Sequence, residues 1–144
     1  MKPIGYWLNR TDQALTRTMD SLLAEYGLTR IAWQVLNVVQ DARGSRGPGP
    51  PVRDHDVLTV LAANADAAAL TAAVEAVLAG GWAARPEPGR LALTCDGRAR
   101  LAEAAERVHA FRELSAAGIS PEEYRTAVSV LERMTRNLES LPAT

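Results

Sequence analysis

An apolar stripe at helical spacing opens this chain, and another closes it. Ile4, Leu8, Leu15, Met19, Leu22, Leu23 and Tyr26 recur at the intervals of one helix face. Tyr124, Val128, Leu131, Leu138 and Leu141 do the same near the far end. A long helix that is apolar on one side must bury that side against something. The chain between these stripes suffices for a small helical core, which cannot cover both. The terminal helices are therefore expected to bury their stripes against a second copy of the chain.

The first stripe predicts a helix over 4–26, stopped by Gly27, which tolerates the left-handed conformation that ends helices. Thr29 offers an N-cap for a second helix, whose apolar residues are Ile31, Trp33, Val35, Leu36, Val38 and Val39. Three prolines and three glycines within 44–51 make a loop. A short helix over 54–61, a turn at Asn64-Ala65-Asp66 and a helix over 67–79 follow. Asp66 can cap the latter, and Gly80-Gly81 stops it. This is a helix-turn-helix pattern. Runs at 82–85 and 91–94, joined by Pro86-Glu87-Pro88-Gly89-Arg90, read as a β-hairpin. A helix over 96–114 comes next. Ser120-Pro121-Glu122-Glu123 then starts the last helix with an N-cap, a proline at the first helical position and a capping-box glutamate. The expected fold class is mainly α, a winged helix-turn-helix with a small β-hairpin wing and a helical dimerisation region from both termini.

Composition narrows the function classes. At 144 residues the chain is one domain's worth, and 47% apolar with 23% charged residues reads as globular. The net charge of -1 exerts no global pull on nucleic acid, so DNA binding would need a local basic patch. The single cysteine, Cys95, cannot form an internal disulfide, which suggests a reducing, cytoplasmic setting. The N-terminus has no signal-peptide pattern, and no apolar run approaches the roughly 20 residues needed to span a bilayer. The spacing of its Ser, His, Asp and Cys residues matches no nucleophilic triad, phosphate loop or zinc site, so neither an enzyme nor a cofactor is expected.

The local residues resemble those of MarR (multiple-antibiotic-resistance regulator) proteins along nearly the whole chain. The matches are Ala32-Trp33-Gln34-Val35-Leu36, Leu70-Thr71, Gly81-Trp82 and Leu93-Thr94-Cys95-Asp96-Gly97-Arg98. The last is similar to the family's leucine-threonine-x-x-glycine-arginine run. The resemblance implies a single domain over 1–144, with dimerisation helices over 4–26 and 98–141 and a winged helix-turn-helix over about 29–95. It implies a homodimer that regulates transcription on double-stranded DNA, as a repressor released by a small aromatic ligand. The second helix of the helix-turn-helix would enter a major groove, and each wing would reach a minor groove.

On this reading Thr71 and Asn64 make the few base contacts, and Arg53, Arg85 and Arg90, with Arg43 and Arg46, hold the phosphates. Tyr6, Trp7, Arg10 and Trp33 line the ligand pocket. Each has a plainer alternative. Trp33 sits within an apolar stripe and reads first as a core aromatic, and Trp7 and Arg10 could serve the dimer interface. Cys95 reads as a small buried thiol rather than a redox sensor. His55 between Asp54 and Asp56 reads as a solvated helix start, and His109 as a helix salt-bridge partner. One departure matters: residues 54–84 contain no Lys or Arg but hold Asp54, Asp56, Asp66 and Glu75, and Ala72 stands where the family usually has arginine. The sequence therefore predicts weak or restricted DNA binding. The rival is a small-molecule-binding or scaffold dimer that keeps the fold and has lost general DNA binding.

Overall fold

The computed structural model describes residues 1–41 and 51–142. The loop expected over 44–51, apart from Pro51, and Arg43 and Arg46 lie outside the described residues. Among the described residues, six helices and three short strands follow in the order α1 (Ile4–Ala24), α2 (Arg30–Asp41), β1 (Val52–Arg53), α3 (Asp54–Val60), α4 (Ala67–Ala79), β2 (Ala83–Ala84), β3 (Arg90–Leu93), α5 (Cys95–Ser115) and α6 (Pro121–Glu139). Two compact units result, Met1–Val108 and His109–Thr144.

Local chemistry accounts for most of the boundaries. α1 ends two residues earlier than the stripe suggests. Leu28 N–H donates to the Leu23 carbonyl at 3.0 Å while Gly27 takes a φ of 73°, the left-handed closure that satisfies a terminal carbonyl. Thr29 caps α2, its hydroxyl accepting from Ala32 N–H at 3.1 Å. Asp66 caps α4, Oδ1 accepting from Ala69 N–H at 2.8 Å. α4 then stops at Gly80 and Gly81, the latter with a φ of 77°.

The sheet of the first unit has the order β1-β3-β2, antiparallel throughout. The hairpin over 82–94 is present, with Ala83 opposite Leu93 and Ala84 opposite Ala92. The extra strand β1 puts Val52 opposite Leu91 and Arg53 opposite Arg90. Two residues are too few to show an alternating pattern in sequence. β1 forms because the second edge of β3 is open and because both Val52 and Leu91 are buried.

The core of this unit is built from Leu23, Val35, Leu36, Val39, Val57, Leu70, Val77, Leu91 and Leu101, all fully buried. Trp33 is also buried, which is the core role its stripe suggested. At the end of α1, Arg107 of α5 pairs with Glu25 and sits over the Tyr26 ring at 5.8 Å.

In the second unit, α6 begins with a complete capping box. Ser120 Oγ accepts from Glu123 N–H at 3.1 Å, and Glu123 Oε1 accepts from Ser120 N–H at 3.0 Å. α6 has no buried residue. Tyr124, Val128, Val130 and Leu138 are exposed, as is Leu141 beyond its end. In the first unit, α1 likewise exposes Ile4, Trp7, Leu8 and Leu15.

Candidate nucleic-acid interface

Helix α4 is buried on one side through Leu70, Ala73, Val74 and Val77. The residues between these, Ala68, Thr71, Ala72, Glu75, Ala76 and Ala79, are exposed and follow helical spacing along the opposite side. Thr71 therefore faces solvent on the helix that would read DNA, and Asn64 is exposed in the turn before it. Among the described residues this face offers one hydroxyl, one carboxylate and no cation.

The cations stand at the base of the wing. Arg53 and Arg90 lie opposite each other in the register of β1 and β3. Arg85 reaches across from the end of β2, its Nη1 donating to the Arg90 carbonyl at 3.4 Å. The structure thus brings Arg53, Arg85 and Arg90 to one place, while Asn64 and Thr71 belong to the turn and to α4. Two of the three guanidinium groups are already engaged. Arg85 donates through both terminal nitrogens to the two oxygens of Asp54, each at 2.9 Å. Arg53 donates to both oxygens of Asp56, at 3.1 and 3.2 Å. Those bonds from Arg53 hold the Asp56 carboxylate below the usual carboxylate range, and the charges of Arg53, His55 and Arg90 add to the effect.

The sequence does not reveal these pairs, since Asp54 and Asp56 read there as acidity in the helix-turn-helix and as the flanks of His55 at a solvated helix start. The three-residue spacing of Arg53 and Asp56 is a usable signal, since it places both ends on one side of a turn. Arg85 and Asp54 are 31 positions apart, and nothing local marks them as a pair.

The wing is anchored to α5 by Thr94 and Gly97. Thr94 Oγ1 accepts from Gly97 N–H at 2.8 Å and donates to the Gly81 carbonyl at 2.7 Å. Gly97 is pressed against the backbone of Trp82. Arg100 completes the corner, its guanidinium 3.9 Å from the Trp82 ring centre and its Nη1 donating to the Gly80 carbonyl at 3.2 Å. Here lies the physical reason for the leucine-threonine-x-x-glycine run: a hydroxyl that caps a helix and a residue without a side chain where strand and helix cross. Cys95, expected to be buried, is exposed, because it is the first residue of α5 and not the end of the strand.

The candidate ligand residues divide. Tyr6 and Trp7 meet edge to face with ring centres 5.0 Å apart. Arg10 donates to the Tyr6 hydroxyl at 2.8 Å and lies 6.0 Å from the Trp7 ring centre. Lys2 Nζ sits 5.2 Å from the Tyr6 ring centre. Trp33 is in the core of the first unit. No helix among the described residues is long and apolar enough to cross a membrane.

No protein-family model matches the sequence, and no curated protein does. Solved structures do. The reduced form of MarR from E. coli is similar with a TM-score of 0.69 at 19% identity, over 93% of this chain and 94% of that one. A MarR-family protein of Mycobacterium tuberculosis, in complex with DNA, is similar with a TM-score of 0.69 at 22% identity, over 93% and 98%. MepR, a transcription regulator of a Staphylococcus aureus multidrug efflux pump, gives 0.72 at 12% identity, over 95% and 99%. Identities this low speak to architecture alone. By its helix order, its wing and this likeness over nearly its whole length, the chain has the MarR-type winged-helix fold.

Proposed function

We propose that this chain is a DNA-binding transcriptional regulator, acting as a homodimer and released from DNA by a small ligand. The observation that carries the reading is the gathering of Arg53, Arg85 and Arg90 at the base of a wing that follows an exposed second helix of a helix-turn-helix. Backbone phosphates are held by such cations, and the helix supplies what base contact there is, through Thr71 with help from Asn64. The DNA-bound M. tuberculosis protein of the same fold supports the assignment.

Dimerisation is supported by the unpartnered apolar faces of α1 and α6, each presented to solvent by a single chain. Ligand response is supported by the Tyr6, Trp7 and Arg10 cluster, which joins two aromatic faces to a cation and so suits an aromatic acid. Trp33, in the core, would contribute through packing. Repression is the proposed outcome, since a regulator that leaves DNA on ligand binding lifts a block.

A second reading has its own observation. With α4 offering no cation and two wing arginines held by carboxylates, a dimer that binds a ligand and has lost general DNA binding is the rival. A mobility-shift titration with the DNA upstream of the gene, at low salt, separates the two. A retarded complex that an unrelated duplex does not form supports the regulator. No shift with any duplex refutes it and leaves the rival.

A further inference from the structure

The two carboxylates at the start of α3 occupy the same donors that a phosphate would use. A guanidinium offers a planar fork that fits carboxylate and phosphate alike, so Asp54 and a DNA phosphate are alternative ligands for Arg85. The Arg85–Asp54 pair has both members about one-third exposed, at 35% and 34%, and is doubly bonded. Arg85 is further tied to the Arg90 carbonyl, and Asp54 N–H donates to the Gly89 carbonyl at 3.0 Å. The Arg53–Asp56 pair is more open, at 58% and 46%. Three arginines and two aspartates in one patch leave a formal charge of 3 − 2 = +1.

We propose that Asp54 and Asp56 are specificity determinants that hold Arg85 and Arg53 away from phosphate, so that binding to arbitrary DNA is suppressed. The inference rests on the regulator reading. A duplex must displace or share these carboxylates before it gains the two phosphate contacts. Only a site that adds base or shape contacts compensates for that exchange. The exchange falls on every duplex, but it removes a larger share of sequence-independent binding, which comes almost wholly from phosphate contacts, than of cognate binding, which has base and shape contacts to fall back on.

The test uses the full chain with Asp54→Asn and Asp56→Asn together, which keep the side-chain shape and remove both charges. Binding to a labelled mixed-sequence duplex is titrated from about 50 to about 200 mM salt. Each freed arginine adds about 0.9 to the slope of log affinity against log salt, so the double variant is steeper by about 1.8 and loses about 12-fold more affinity over that range. It also binds this duplex more tightly than the parent at low salt. Asp54→Glu with Asp56→Glu keeps both carboxylates and retains the parent slope. If the double asparagine variant does not fold, Asp56→Asn alone, at the more open pair, is steeper by about 0.9. A folded variant whose slope and low-salt affinity match a parent that binds its upstream DNA overturns this proposal and leaves the regulator reading standing. Failure of parent and variant to bind any duplex refutes the regulator reading, and this inference with it.

Discussion

Replacing Gly97 with alanine tests the account of the corner between wing and α5. An ideal Cβ at this position would stand 1.9 Å from the Trp82 carbonyl oxygen, 2.6 Å from its carbon and 2.8 Å from its Cα. These are backbone atoms, so no rotamer change relieves the contact. Bringing the nearest distance to about 3 Å requires strand and helix to part by about 1 Å. Overpacking of this kind costs about 1–3 kcal/mol, and the upper end applies where the neighbour is main chain. The displaced oxygen also accepts from Thr94 N–H at 3.0 Å, and losing that bond adds about 1 kcal/mol. Alanine's better helix propensity returns at most about 1 kcal/mol. The net is a destabilisation of about 3 kcal/mol, which for a chain of this size lowers Tm by about 10 °C. Urea denaturation of parent and Gly97→Ala at equal protein concentration, followed by tryptophan fluorescence and far-ultraviolet circular dichroism, measures it. Agreement within about 0.5 kcal/mol, the range of an unremarkable surface change, would refute the close approach of α5 to Trp82.

Asp66→Ala removes the side chain that caps α4 and costs about 1 kcal/mol by the same denaturation measurement, whereas Asp66→Asn, a comparable cap, stays near the parent. Glu123 predicts an acid profile for α6. Its carboxylate accepts from the Ser120 backbone N–H, with the Ser120 side chain adding to the effect, so its pKa is lowered in the folded chain. A depressed carboxylate stabilises fully above its unfolded value and loses that contribution as pH falls through the folded value. The Glu123 contribution to helix content is therefore full above the ordinary glutamate range, begins to fall within it and is gone only in stronger acid, below the folded value. Circular dichroism of the parent and Glu123→Gln across an acid titration checks this, and curves that converge at mildly acidic pH would contradict it.

What the sequence made legible is what short-range chemistry decides. The caps at Thr29, Asp66 and Ser120 and the stops at Gly27 and Gly80-Gly81 could be placed because each rests on groups within a few residues of one another. The hairpin could be placed for the same reason. Strand β1 could not, since its existence depends on a vacant edge of β3 nearly 40 positions on. The site divides along the same line. Its arginines stand out in the sequence at the rim of a helix-turn-helix that has no Lys or Arg over 54–84, but their aspartate partners emerge only from the fold, because Arg85 and Asp54 meet through tertiary structure. Cys95 reads as a buried thiol beside the strand run over 91–94, but as the first residue of α5 it is exposed.

The third strand limits how this lobe can respond to anything. Because Val52 and Arg53 lead straight into α3 while bonded to β3, and Gly89 at the hairpin tip accepts from Asp54, the wing is stitched to the helix-turn-helix along its length. On the dimer reading proposed above, a signal from a second copy would therefore move this lobe as one block, changing the distance between two lobes and not the shape of either.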